Sequence, residues 1–314
     1  VSSQGGTKAV LAALAANAFI AVTKFGAWAL TGSASMLAEG VHSVADTGNQ
    51  LLLLRGAHVA KREATDEHPF GYGRAPFISA FLVSVILFSL GGLFALYEAF
   101  HKYEEVASGH PNELLESQWW WVPIAVLLFA ILAEGFSFRT AIRESVPLKG
   151  TKSWAQFIRS AKSPDLPVIL LEDFAALLGL GFALMGVGMT LLTHNGLWDA
   201  AGTALIGLLL ILVAITLAME TRSLLLGEAA TPEAVVGITA ALAGADGVQR
   251  VIHLKTLHLG PSEILVAAKI AVEPTESASR VAQVIDNAEA AIRAANPEVT
   301  VLYLEPDIDR GGPA

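Results

Sequence analysis

Residues Ala38–Gln50 read AEGVHSVADTGNQ and lie inside an otherwise apolar segment running from Ser33 to about Ala57. Glu39, His42 and Asp46 thus stand near the middle of a helix whose other residues suit lipid. They are three and four residues apart, and Asn49 or Gln50 continues the spacing, so on a helix they form one stripe. A carboxylate near the bilayer centre costs about 2.5–3.5 kcal/mol on insertion scales, so the stripe must face protein, water or a cation. His42 and Asp46, one turn apart, can reach the same ion. Their nitrogen and oxygen donors suit Zn2+ and also accept Mn2+, Fe2+, Co2+ or Cd2+.

Composition sets the surroundings of that stripe. Of 314 residues, 54% are hydrophobic and 16% charged, and the mean hydropathy is +0.55, which is the balance of a membrane protein. There is no cysteine, so disulfides, thiolate metal sites and cysteine nucleophiles are excluded together. The net charge of -9 argues against nucleic acid as a partner.

Segments long and apolar enough to span a bilayer, which takes roughly 20 residues as a helix, fall at about 8–31, 34–58, 75–103, 119–142, 166–193 and 198–222. The first is too long for a signal peptide and lacks a basic leader, so it reads as a span. Lys and Arg gather in the second-to-third connection (Arg55, Lys61, Arg62, Arg74) and the fourth-to-fifth (Arg139, Arg143, Lys149, Lys152, Arg159, Lys162). The opposite side carries only Lys102, in the third-to-fourth loop. The positive-inside rule therefore puts both termini in the cytoplasm, with Trp119, Trp120 and Trp121 as an outer interfacial anchor.

A second source of ligands lies in the fifth span, VILLEDFAALLGLG, where Glu172 and Asp173 are adjacent in an apolar run. Neighbours on a helix point about 100° apart, so one faces the second span squarely while the other reaches in from the flank or pairs elsewhere. Asp173 is the first choice as ligand, and Glu172, Glu39 or water completes four-coordination. Such residues can also simply pair between helices. Lys24, in the first span, is the one basic residue placed to neutralise them, while Glu98 and Glu134 read as interfacial or packing carboxylates.

From about Gly227 the pattern is that of a separate small domain. PEAVVGITAALAG has helical spacing, VQRVIHLKTLHLG and EILVAAKIAVEP read as strands meeting at Gly-Pro-Ser, SASRVAQVIDNAEAAIRAA as an amphipathic helix, and EVTVLYLEP as a third strand. The expected organisation is six transmembrane helices over residues 1–226, followed by a cytoplasmic αββαβ, ferredoxin-like domain over 227–314.

Taken together, GSASMLAEGVHSVADTGNQ, HPFGYGR before the third span, the acidic fifth span and the αββαβ tail resemble the cation diffusion facilitator family of zinc and divalent-metal transporters, over essentially the whole chain. LLEDFAALLG and EGFSF further resemble the subgroup containing the animal mitochondrial zinc transporter. The resemblance implies a homodimer exchanging cytoplasmic Zn2+ or a related ion for protons, with a tetrahedral site between the second and fifth spans. Position by position, it puts His42, Asp46 and Asp173 on the family's ligands.

The chain also departs from the family. Members commonly have HxxxD in the fifth span, but Ile169 stands four residues before Asp173, which leaves Glu172 or Glu39 to replace the missing ligand. His68 matches a loop histidine of the family, and Tyr72 stands where some members have a second. His68 either binds metal or pins a turn shaped by Pro69, Gly71 and Gly73. In the tail, His253 and His258 are five residues apart on one strand and face opposite sides of the sheet, so a regulatory zinc cluster is not expected there. Glu305, Asp307 and Asp309 read as solvated carboxylates near a frayed end.

The expectation is a proton-coupled metal exporter, not an enzyme, with no bound cofactor, sited in a bacterial inner membrane. A metalloenzyme reading lacks HExxH and GxSxG signatures. A passive channel and a purely structural membrane protein are the other readings.

Overall fold

The computed structural model describes residues 3–110 and 112–309, with side chains from Asn17 onward. Its helices in the first part of the chain are α1 (Ser3–Thr31), α2 (Ala34–Val59), α3 (Ala75–Ile86), α4 (Phe94–Ala107), α5 (Glu113–Glu116), α6 (Val122–Lys149), α7 (Trp154–Ser160), α8 (Asp165–Thr193) and α9 (Leu197–Leu226). A π-helical stretch, Leu87–Leu93, joins α3 to α4. Among the described residues four helical stretches are long and apolar enough to cross a membrane: Ala75–Ala107, Val122–Lys149, Asp165–Thr193 and Leu197–Leu226. Helix α2 has the length, but Glu39, His42, Asp46, Asn49 and Gln50 break its apolar run.

Small residues let these helices approach closely, as membrane helices require in the absence of a hydrophobic drive between them. On α9, a Cβ added to Gly202 would lie 2.8 Å from the Phe182 carbonyl oxygen of α8, and one added to Gly207 would lie 3.0 Å from the carbonyl oxygen of Gly92 in the π-helical stretch. Asp199 at the start of α9 binds the opening turn of α2: its carboxylate accepts from Ala34 N at 2.8 Å, Ser33 Oγ at 3.1 Å and Ser35 N at 3.4 Å. A remote carboxylate thereby satisfies N–H groups that a helix cannot pair internally, at the end where the helix dipole favours an anion. Lys102, expected in a loop, lies within α4, where it is buried and pairs with Glu105 at 2.9 Å.

The tail has α10 (Pro232–Ala243), β1 (Arg250–Gly260), β2 (Glu263–Ala271), α11 (Ala278–Ala295) and β3 (Val299–Asp307), the expected order. The central strand β2 pairs antiparallel with β1 through the Gly260–Glu263 hairpin and parallel with β3 through α11. Alternate residues Ile264, Val266, Ala268 and Ile270 of β2 bury one face against Ile238 and Leu242 of α10 and Val284, Ala288 and Ile292 of α11.

The chain divides into two compact units: residues 1–56 with 78–221, and residues 57–77 with 222–314. The connection after α2, which contains HPFGYGR, thus packs with the tail. There Gly260 meets it backbone to backbone, since a Cβ at Gly260 would lie 2.7 Å from the Gly73 carbonyl oxygen. At the acidic end of β3, Glu305 and Asp309 are exposed as expected, but the strand is paired as far as Asp307 and the carboxylates are held by ion pairs. Lys269 pairs with Glu305 at 2.8 Å and Asp307 at 3.3 Å, and Arg250 holds Asp309 in a two-pronged contact at 2.6 and 3.0 Å. Parallel pairing of β2 and β3 brings Lys269 opposite Glu305, which linear spacing does not reveal. Those two hydrogen bonds raise the pKa of Lys269 above its ordinary value.

Candidate metal-transport site

The stripe on α2 is present as a physical face. His42 is 1% exposed, Asp46 partly buried, and His42 Nε2 lies 3.4 Å from Asp46 Oδ2. Both ring nitrogens of His42, and Asp46 Oδ1, are buried without a hydrogen-bond partner. Buried polar atoms are nearly always paired, so three unpaired lone-pair or N–H positions on neighbouring side chains mark a place built for something further.

Contacts at two levels place α8 beside this stripe. Asn49 Nδ2 donates to Glu172 Oε1 at 2.7 Å, and Glu39 Oε1 lies 2.9 Å from the point a Cβ on Gly179 would occupy. Residue 49 is thus level with 172 and residue 39 with 179, so α2 and α8 run antiparallel. His42, Asp46 and Asp173 fall between these two contacts. A side chain at Gly179 would oblige the Glu39 carboxylate to shift.

The remaining acidic candidates each have one oxygen engaged, and Glu39 Oε1 is buried without a partner. Glu39 is fully buried, and its Oε2 accepts from Lys24 Nζ at 2.8 Å; the same ammonium donates to Ser43 Oγ at 2.8 Å. Glu172 is held by Asn49, and Asp173 Oδ2 accepts from Ser137 Oγ of α6 at 2.9 Å. Among the described residues no three His, Asp or Glu side chains already converge closely enough to enclose an ion. The structure therefore brings His42 and Asp46 together, sets Asp173 at their level, and gives Glu39 and Glu172 partners of their own.

His68 lies elsewhere. It is exposed, its backbone N donates to Thr65 Oγ1 at 3.1 Å, and its ring meets Tyr72 edge-on with centroids 4.6 Å apart. In the tail, His253 is exposed and His258 buried, with His258 Nδ1 3.2 Å from the Gly260 carbonyl oxygen. They are paired to Lys269 and Ile264 in an unbroken register and so face opposite sides.

Two α6 residues stand outside the expected ligand set. Ser137 orients Asp173, and Glu134, three residues earlier on the same face, has His42, Asp46 and Asp173 as electrostatic neighbours. The signal was present in EGFS, a carboxylate and a hydroxyl at i and i+3 inside an apolar span.

Residues 10–226 match the family model of the cation efflux transmembrane domain, and residues 230–306 that of the cation efflux protein cytoplasmic domain. The chain is 32% identical over 270 residues to the mitochondrial proton-coupled zinc antiporter SLC30A9 of Mus musculus, covering 85% of this chain and 46% of that protein. It is 30% identical over 274 residues to metal tolerance protein C4 of Arabidopsis thaliana (86% and 58% covered). To the manganese efflux system protein MneP of Bacillus subtilis (strain 168) it is 25% identical over 260 residues (82% and 81% covered). The chain thus spans less than half the length of the mouse protein. That protein is named mitochondrial, so the expectation of a bacterial inner membrane has no support from it.

Proposed function

The chain belongs to the cation efflux family, a family of membrane transporters rather than enzymes, and we propose that it exports Zn2+ from the cytoplasm in exchange for protons. The observation that carries this reading is a buried imidazole with both nitrogens unpaired, beside Asp46 and level with Asp173, inside helices of a membrane domain. Imidazole and carboxylate bind metal only when deprotonated, so metal and protons compete for the same side chains. Metal enters from the cytoplasmic side, and closing the shell brings Asp173, which Ser137 holds through Oδ2, toward His42 and Asp46. Rocking of the helices then opens the site outward, where protons release the ion and return with the empty carrier.

The transporter has six spans over residues 1–226, both termini in the cytoplasm and a ferredoxin-like tail over 227–314, and works as a homodimer. The likeness to a protein named a proton-coupled zinc antiporter supports zinc and proton coupling. A second reading, Mn2+ as substrate, is favoured by the likeness to MneP and by the hard oxygen donors of the site.

The test is flux of Zn2+ and Mn2+ into proteoliposomes under an imposed pH gradient, for the parent, Asp46→Ala and Asp173→Ala. Gradient-driven flux that both substitutions abolish is the expected result, and the faster ion names the substrate. Flux indifferent to the gradient would mean a channel, and parental flux in both variants would remove the site.

A further inference from the structure

We infer that Glu134 of α6 supplies the fourth donor to the transported ion, so that the site draws on three helices, α2, α6 and α8; this rests on the transport reading above. Four-coordination is the rule for Zn2+ with nitrogen and oxygen ligands, and His42, Asp46 and Asp173 account for three. The fifth-span position one turn before Asp173 holds Ile169, which cannot ligate. The other two carboxylates nearby each hold a partner through one oxygen: Lys24 binds Glu39 Oε2 at 2.8 Å and Asn49 binds Glu172 Oε1 at 2.7 Å, while Glu39 Oε1 has none. Either one can ligate only while it also holds a buried ammonium or a buried amide, whose loss of a partner is costly in the interior.

Glu134 carries no such cost. Among the described residues no hydrogen bond or ion pair engages its carboxylate, although it is partly buried within a membrane helix. Its place is fixed by Ser137, whose hydroxyl reaches Asp173 at 2.9 Å and which is three residues on, hence on the same face of α6. Asp46, Asp173 and His42 are among its electrostatic neighbours, together with the Lys24 ammonium that Glu39 holds. An unengaged carboxylate thus stands one helical turn from the residue that holds Asp173, and its charged neighbours include a His42 and an Asp46 with atoms that lack hydrogen-bond partners. Like charges gathered in an apolar medium repel unless a cation or protons come between them, and a divalent ion meets that requirement directly.

The experiment uses the purified full chain in lipid nanodiscs, comparing the parent with Glu134→Gln, Glu134→His, Asp46→Asn and Asp173→Asn. Zn2+ and Mn2+ affinities are measured by calorimetry, folding by melting without metal, and the coordination shell by Zn K-edge absorption. Glu134→Gln is expected to weaken Zn2+ binding by at least about tenfold. Glu134→His is expected to retain Zn2+, raise the Zn2+ to Mn2+ preference and add a nitrogen scatterer to the shell. A merely structural Glu134 would move neither the preference nor the shell. Parental affinity and preference in both Glu134 variants, with binding lost in Asp46→Asn and Asp173→Asn, would overturn the assignment and leave the transport site standing. Parental binding in the Asp46 and Asp173 variants would remove the site itself. If Glu134→Gln does not fold, the metal preference and shell of Glu134→His decide between the two roles.

Discussion

The buried pair Lys24–Glu39 constrains what can replace either residue. With 1% and 0% of their side chains exposed, the ammonium and carboxylate satisfy one another where water cannot. Removing one partner of such a pair leaves an uncompensated buried charge and costs about 3–5 kcal/mol, whereas replacing both is much cheaper. Lys24→Met is accordingly expected to lower the melting temperature of the purified protein sharply, and Lys24→Met with Glu39→Gln to recover most of the loss. Equal destabilisation in the single and double variants would mean that the pair is not coupled. Sequence identified Lys24 as the one basic residue available to the acidic stripe, but not which carboxylate it takes. That choice follows from the side-by-side packing of α1 and α2, where Asn17 also reaches Gln50 at 3.2 Å.

Between elements, the contacts that hold the helices are of two kinds, and each predicts a different response. Helix α8 meets α9 where Gly202 leaves 2.8 Å between an added Cβ and the Phe182 carbonyl oxygen, while a Cβ at Gly181 on α8 meets nothing within 4 Å. Gly202→Leu should therefore prevent recovery of a monodisperse protein, and Gly181→Leu should be tolerated, as gel filtration of the two would establish. The second kind is the cap that Asp199 provides to α2. Asp199→Ala leaves the buried Ala34 and Ser35 N–H groups without their acceptor, a loss of about 1–3 kcal/mol that thermal melting would detect. Hydropathy located both helices, yet nothing in the sequence pairs residue 199 with residues 33–35. The contact spans 165 positions and exists only because α9 begins beside the start of α2.

For the whole molecule, the compact units do not follow the linear order of the chain. Residues 57–77 leave α2 and pack with residues 222–314, so the loop bearing HPFGYGR belongs to the unit that contains the sheet. If the tail holds two copies together, a chain ending at Leu226 should run as a monomer where the full chain runs as a dimer, by light scattering in matched detergent. A truncated chain that remains dimeric would place the interface in the helices. Periodicity and hydropathy alone determined the long apolar helices, the αββαβ order and the polar stripe of α2, because each follows from residues close in sequence meeting lipid, water or one another. Only the tertiary structure decided which partner each carboxylate has: Lys24 for Glu39, Asn49 for Glu172, Ser137 for Asp173, Lys269 for Glu305. Spacing along a helix or strand says which side chains share a face, but what stands opposite that face depends on how distant segments pack.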